Sequence, residues 1–264
     1  MIAKQDGLFS QIWLRIRILA ALVIRETSAR FGRSWGGYIW AVAEPAGGII
    51  LLALAFSYIA RVPPLGTSFM YFYASGIVPF MMYNSISNST MHAMRANRGL
   101  LTYPVVAPLD TLIARASLDA MTYFVIAIIL LPAIAVYDRV STNIDAAALA
   151  ITFTMIFALG LGVGTLNCVL IGFFPTWQNI WGVLNRPIFI ISGVLFNFDS
   201  IPTNLRDLLW YNPIAQIIAE ARQGLYGVET EGFVSLPYVF GISMLLFLVG
   251  AFLMRQNEAF LLQQ

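Results

Sequence analysis

The chain has 264 residues, 59% of them apolar and 11% charged, with a formal net charge of +2. Soluble domains carry about 25% charged residues, so the composition excludes a soluble globular protein and points to an all-α polytopic membrane protein. The single cysteine, Cys168, lies inside an apolar run. An intramolecular disulfide is therefore impossible, and a packed thiol is expected.

In chain order, the first element is an amphipathic helix over 8–23, with Leu8, Ile12, Ile16, Leu19 and Val23 on one face and Gln11 and Arg15 elsewhere. That pattern suits a helix lying in the membrane interface. The apolar run 18–24 is as short as a secretory core, but Arg25 follows at once, so a cleaved leader is not expected. The stretch RETSARFGRSWGGYIWAVAEP, 25–45, then leads directly into apolar sequence. Its Arg25, Arg30 and Arg33 belong at an anionic membrane face, and Trp35, Tyr38 and Trp40 suit the interfacial layer.

About 20 apolar residues are needed to cross the hydrocarbon. Six such spans are expected, near 39–60, 69–91, 112–136, 146–172, 180–198 and 233–254. Lys and Arg concentrate on the amino-terminal side, with only Arg61, Arg139, Arg206 and Arg222 on the far side. The positive-inside rule then puts both termini in the cytosol. One domain, 1–264, is expected, with an interface helix over 1–35, a six-span region over 39–254, a cytosolic loop over 92–110 and a far-side segment over 199–232.

Polar groups within spans carry most of the functional information, because hydrocarbon offers them no partners. Glu44 falls early in the first span beside Pro45, and is expected to pair with an arginine of its own lead-in or to face water. Asn84 and Asn88 share a helical face late in the second span, suited to helix contact or to sugar hydroxyls. Tyr83 and the other aromatics of that span could pack, face lipid or line a path. Arg115 and Asp119 are spaced i to i+4, which favours an internal ion pair. In the fifth span Asn185, Arg186 and Pro187 stand together, where Arg186 either snorkels to the interface or meets an anion. Gly160, Gly162 and Gly164 form a small-residue stripe for close packing within a subunit.

The loop over 92–110 shows Leu100, Leu101 and Tyr103 among Arg95, Asn97, Arg98 and Gly99. Apolar residues in a short loop suggest contact, either with the bilayer surface or with a cytosolic partner. In the far-side segment, Asn212 and Pro213 form a helix start, and the following residues make a short amphipathic helix expected to dip into the outer leaflet, with Glu220 and Arg222 solvated. The only lysine is Lys4, with no glycine-rich turn before it, so a P-loop for ATP is absent. An intramembrane enzyme would need converging acids, bases or metal ligands; His92 is the one histidine, and no acidic cluster accompanies it. A secondary transporter is disfavoured by the lack of a visible internal repeat, and a nonenzymatic scaffold remains as the third class.

The segments RETSARFGRSWGGYIWAVAEP, ANRGLLTYPVVAPLDTLIAR and LLWYNPIAQIIAEAR, in this order, resemble the inner-membrane permease of capsular-polysaccharide ABC exporters, within the wider ABC-2 type permeases. The likeness covers essentially the whole chain and departs only in small ways, at Trp35 and Gly36. It implies a homodimer joined to a cytosolic ATPase dimer, with ATP and magnesium belonging to that partner and no cofactor in this chain. It also implies a periplasmic adaptor or co-polymerase, an outer-membrane channel, membrane lipids, and a polysaccharide or glycolipid cargo, with no nucleic acid. Carried onto matching positions, ATPase coupling falls to Arg25, Arg30, Arg33, Arg95, Asn97, Arg98, Gly99, Leu100 and Leu101. The translocation path is expected to involve Tyr38, Trp40, Glu44, Tyr83, Asn84, Asn88, Asn185 and Arg186. Relatives that move O-antigens or teichoic acids differ from such a permease in cargo rather than mechanism.

Overall fold

The computed structural model describes residues 8–31, 35–59, 62–102, 106–227 and 232–263. Lys4, Arg33, Arg61 and Tyr103 lie outside them, as do the side chains of Leu8, Ile12, Trp35 and Tyr38. Among the described residues the fold is all helix. The helices are α1 (Leu8–Phe31), α2 (Trp35–Ile59), α3 (Phe69–Met91), α4 (Ala93–Ala96), α5 (Pro108–Tyr137) and α6 (Ala146–Phe173), followed by α7 (Trp177–Ile191), α8 (Thr203–Trp210), α9 (Pro213–Tyr226), α10 (Leu236–Gln256) and α11 (Glu258–Gln263).

Local chemistry sets the helix starts. Asp145 accepts the amides of Ala147 and Ala148 at 2.8 and 3.2 Å to begin α6. Ser68 caps α3 through the amide of Tyr71 and donates its hydroxyl to Asp138. Asn212 accepts the amide of Ile214 at 3.0 Å, and Pro213 takes the first turn of α9, as the sequence pair predicts. At the other end of α5, Val140 N–H reaches the carbonyl of Ala135 and Arg139 N–H that of Val136, the two bonds of a Schellman motif. The left-handed residue of that motif is Arg139, at φ 52°, where glycine is usual.

Among the described residues, four helices are long and apolar enough to cross a membrane, over Ile39–Tyr58, Pro108–Tyr137, Ala146–Phe173 and Leu236–Gln256. Helix α3 has 23 residues but carries Asn84, Ser85, Ser87, Asn88 and Ser89. It sits at the centre, packed by α2, α5, α6 and α9, and most of its residues are buried. A helix wrapped in protein can be less apolar than one facing lipid, which is why α3 falls below the hydropathy of the other four. Helix α7 differs more from expectation. It has 15 residues, about 22 Å at the helical rise, and stops well short of residue 198 because Gly193 turns the chain at φ 78°. A Cβ at that glycine would lie 2.1 Å from the Phe198 ring.

The glycine stripe of α6 serves packing within the subunit, as expected. A Cβ on Gly160 would meet Ile86 of α3 at 2.8 Å, on Gly162 the carbonyl oxygen of Ser243 in α10 at 2.5 Å, and on Gly164 Thr90 of α3 at 2.6 Å. Backbones approach that closely only without a side chain between them. Cys168 is buried in a second cluster with Met94, Leu112 and Met254.

Helix α9 overturns the surface-helix expectation. It is buried along most of its length between α3 and α6. Arg222 is 3% and Glu220 6% exposed, so neither is solvated. The Arg222 guanidinium donates to the carbonyls of Phe196 at 2.8 Å and Val194 at 3.2 Å, and lies 4.2 Å from the centre of the Phe72 ring. Gln216, fully buried, donates to the carbonyl of Trp210 and accepts the amide of Ser235, each at 2.7 Å. The polar face that suggested water instead grips the irregular backbone around it, as buried carbonyls and amides require.

Candidate functional site

Helix α1 is bound to α5 and to the α3–α5 loop by a lattice of charges. On α1, Arg15, Leu22, Glu26 and Arg30 recur at helical spacing and form one stripe. Arg15 pairs with Asp110 at 2.7 Å, Glu26 with Arg115 at 3.3 Å and Arg30 with Asp119 at 2.5 Å. The pairs ascend together in both helices, so α1 and α5 run in the same direction where they touch. This corrects the i to i+4 expectation: Arg115 and Asp119 each bond a residue of α1 rather than one another. A partner from a neighbouring helix, fixed by packing, outweighs a neighbour on the same exposed surface, whose pairing contributes only about 0.2–0.5 kcal/mol.

Asn97 joins the loop to this lattice. It is 2% exposed, accepts from Arg25 at 2.7 Å, and donates to Glu26 at 2.7 Å and to the carbonyl of Ala93 at 3.2 Å. The carboxamide offers an acceptor to the arginine and a donor to the glutamate from one side-chain end. Asp119, 1% exposed, also accepts from Ser85 at 2.6 Å, which ties α3 into the same network. Of the expected coupling residues, the structure thus brings together Arg25, Arg30 and Asn97. Around them Arg95 reaches the carbonyl of Ile171, weakly at 3.4 Å, and Arg98 that of Leu262 at 3.0 Å.

Leu101 lies within the chain's own packing. It is 9% exposed and packs into the cluster of Met94, Leu112 and Leu261, because a buried site within its own chain removes more apolar surface from water than a loop tip would. Leu100 is half-buried, and Arg95, Arg98 and Gly99 form the exposed edge.

Inside the lattice a polar cleft of about 640 Å³ is walled by Glu26, Arg30, Glu44, Asn84, Asn88 and Asp119, among others. Glu44 is exposed there and takes part in no ion pair among the described residues. Asn84 accepts from Asn88 at 2.8 Å and from Asn185 at 2.5 Å, which brings α3 and α7 together through three of the predicted polar positions. His92 also faces the cleft. Burial, then Arg95 and Arg115, hold its imidazole below the usual histidine range, so it is neutral at pH 7.

The remaining path residues separate. Tyr83 is 3% exposed in the central core, in keeping with the central place of α3. Trp40 is 71% exposed, and Arg186 is exposed on α7, a helix with no buried residue. The members of this lattice that sequence reasoning missed are the acceptors Glu26 and Asp110 and the donor Ser85. The spacing of Glu26 and Arg30 along one face was the available signal; Asp110 and Ser85 carried none, because their partners come from other helices, Arg15 of α1 and Asp119 of α5.

Residues 18–226 match the family of ABC-2 type transporters. The chain is 32% identical over 239 residues to the polysialic acid transport protein KpsM of Escherichia coli, covering 90% of this chain and 92% of that one. It is 23% identical over 239 residues to the capsule polysaccharide export inner-membrane protein BexB of Haemophilus influenzae, covering 90% of each. It is 22% identical over 246 residues to the capsule polysaccharide export inner-membrane protein CtrC of Neisseria meningitidis, covering 93% of each. The match extends from within α1 to the end of α9 and so includes the lattice apart from Arg15, the cleft and the buried helix: the chain belongs to the ABC-2 type transporter family.

Proposed function

We propose that this protein is the permease subunit of an ATP-driven exporter of capsular polysaccharide, in the inner membrane of a two-membrane bacterium. The observation that carries this reading is near-end-to-end similarity to KpsM, at 32% identity over 90% of the chain, supported by weaker matches to two further capsule export proteins. An O-antigen export permease of Klebsiella pneumoniae is 21% identical over 85% of the chain, so cargo of that kind is the second reading.

In this proposal the chain crosses the membrane six times, with α3 and the short α7 completing the four more apolar spans, and both termini are cytosolic. Two copies form the passage. The wide apolar surfaces of α2 and α7, including Trp40, Ile50, Leu54, Val183 and Ile190, suit contact with lipid or a second subunit. A cytosolic ATPase dimer presses on the exposed edge made by Arg95, Arg98 and Gly99. Asn97 passes the displacement to Arg25 and Glu26, and the Arg30–Asp119 pair carries it into α5 and α3. Weak, repeated contacts with Trp40, Tyr38, Asn185 and Arg186 suit a moving sugar polymer, since tight binding would stall it. An adaptor and an outer-membrane channel receive the polymer.

Copurification with candidate ATPases, followed by hydrolysis measured with and without purified capsular polymer, tests this. Stable binding and polymer-stimulated hydrolysis are expected. Stimulation by O-antigen alone selects the second cargo, and no ATPase partner at all rejects both readings.

A further inference from the structure

A second cavity, of about 680 Å³, opens between α3, α5 and α6. It is separate from the charged cleft, and its walls are apolar, with Val78, Met82, Phe124, Leu131, Phe153 and Ile156 among them. Its one charged lining residue is Arg139, at an end shared with Ser141 and Thr142; Tyr71 and Thr152 add hydroxyls elsewhere in the wall. That end lies opposite α1, because α5 starts at Asp110 beside Arg15 and finishes at Tyr137. From Phe124 to Arg139 the chain climbs about 20 Å, close to the depth of one bilayer leaflet with its headgroup layer. The groove therefore has the length of one acyl chain and a single charged mouth.

Arg139 is the unusual residue. It is exposed, holds the left-handed position of the motif that ends α5, and takes part in no ion pair among the described residues. Its acidic neighbours in the sequence are engaged elsewhere, Asp138 with the Ser68 hydroxyl and Asp145 with the first amides of α6. Glycine would fit this backbone without strain. An arginine here gains nothing from its conformation, which leaves its charge as the reason for its place.

We propose that this groove holds one acyl chain of an anionic phospholipid, with the lipid phosphate on Arg139 and the hydroxyls of Ser141 and Thr142. Charge complementarity selects the headgroup: a lone guanidinium and two hydroxyls at the mouth match a phosphodiester. The groove lies within one subunit and ends near mid-membrane, so it seats a resident lipid and does not conduct cargo.

The test uses the full-length protein in nanodiscs, with phosphatidylglycerol carrying a photoreactive group halfway along one chain, and phosphatidylcholine of the same design as the comparison. Label is expected on α5 and α6 peptides around Phe124 and Phe153, with phosphatidylglycerol favoured roughly fivefold, the effect of about one basic residue at an anionic surface. Arg139→Gly separates binding from structure. It relieves the left-handed backbone, so the variant melts at the same temperature as the parent or above it, yet the preference for phosphatidylglycerol falls to none. A preference that survives in Arg139→Gly overturns the proposal. So does label spread evenly over the lipid-facing side of α2, or a groove left unlabelled because a second subunit covers it. None of these readouts depends on ATP or on export, so their failure is distinct from failure of the transport reading.

Discussion

Two arginine settings at opposite ends of the molecule use the same side chain in contrary ways. At the α1 end, Arg30 and Arg115 meet carboxylates on a neighbouring helix beside an open polar cleft. At the other end Arg222 is closed away and bonds carbonyl oxygens, a serine hydroxyl and the face of Phe72, with no ion pair among the described residues. An arginine that keeps contact with solvent, as Arg30 does at 45% exposed, can move more readily than its buried carboxylate partner Asp119. A dry guanidinium held by fixed backbone dipoles cannot, because any movement leaves charge and carbonyls uncompensated. Each of these α1 pairs thus keeps an arginine that reaches solvent, while the Arg222 site is closed, a rigid frame around the connection between α7 and α9; under the proposed function the first is the coupling region.

Replacing Arg222 by Met tests the rigid end most severely. It strands the carbonyls of Val194 and Phe196 and is expected to cost about 3 kcal/mol, read as a large fall in thermal stability and loss of the assembled protein. Stability within error of the parent would show that this site is no anchor. Gly162→Ala comes next, since its methyl group would sit 2.5 Å from the Ser243 carbonyl oxygen. Forcing α6 from α10 is expected to cost about 2 kcal/mol in the same melting assay.

The movable end should respond in function more than in stability. Asn97→Ala removes the amide shared by Arg25 and Glu26, with an expected cost of about 1–2 kcal/mol. ATPase binding is expected to persist while polymer export falls several-fold, and export equal to the parent would remove Asn97 from the route. Arg15→Gln breaks a pair whose arginine side chain is 55% exposed. Its effect should stay within about 0.5 kcal/mol, so a large loss would mean that Arg15 contacts something beyond this chain.

The sequence revealed elements better than partners. Helix α3 runs over the residues read from it, Phe69–Met91, because Ser68 and the apolar run mark it locally. The starts of α6 and α9 were legible for the same reason, through Asp145 and Asn212. Helix α7 was misread in length, since the apolar run continues past Gly193 while the backbone turns there. Glu220 and Arg222 were misplaced because an amphipathic helix at a membrane surface and one gripping buried carbonyls share a single pattern. In the candidate site, Arg25, Arg30 and Asn97 could be chosen in advance, but their acceptors are tertiary neighbours that spacing along one helix does not reveal. The i to i+4 reading of Arg115 and Asp119 failed on that point.

That this chain exports polymer only under force from a separate ATPase can be measured directly in sealed proteoliposomes. Entrapment or release of fluorescent capsular polymer is followed with the permease alone, with the ATPase added, and with ATP present or withheld. Transport is expected solely where permease, ATPase and ATP are together. Polymer movement by the permease alone would contradict it.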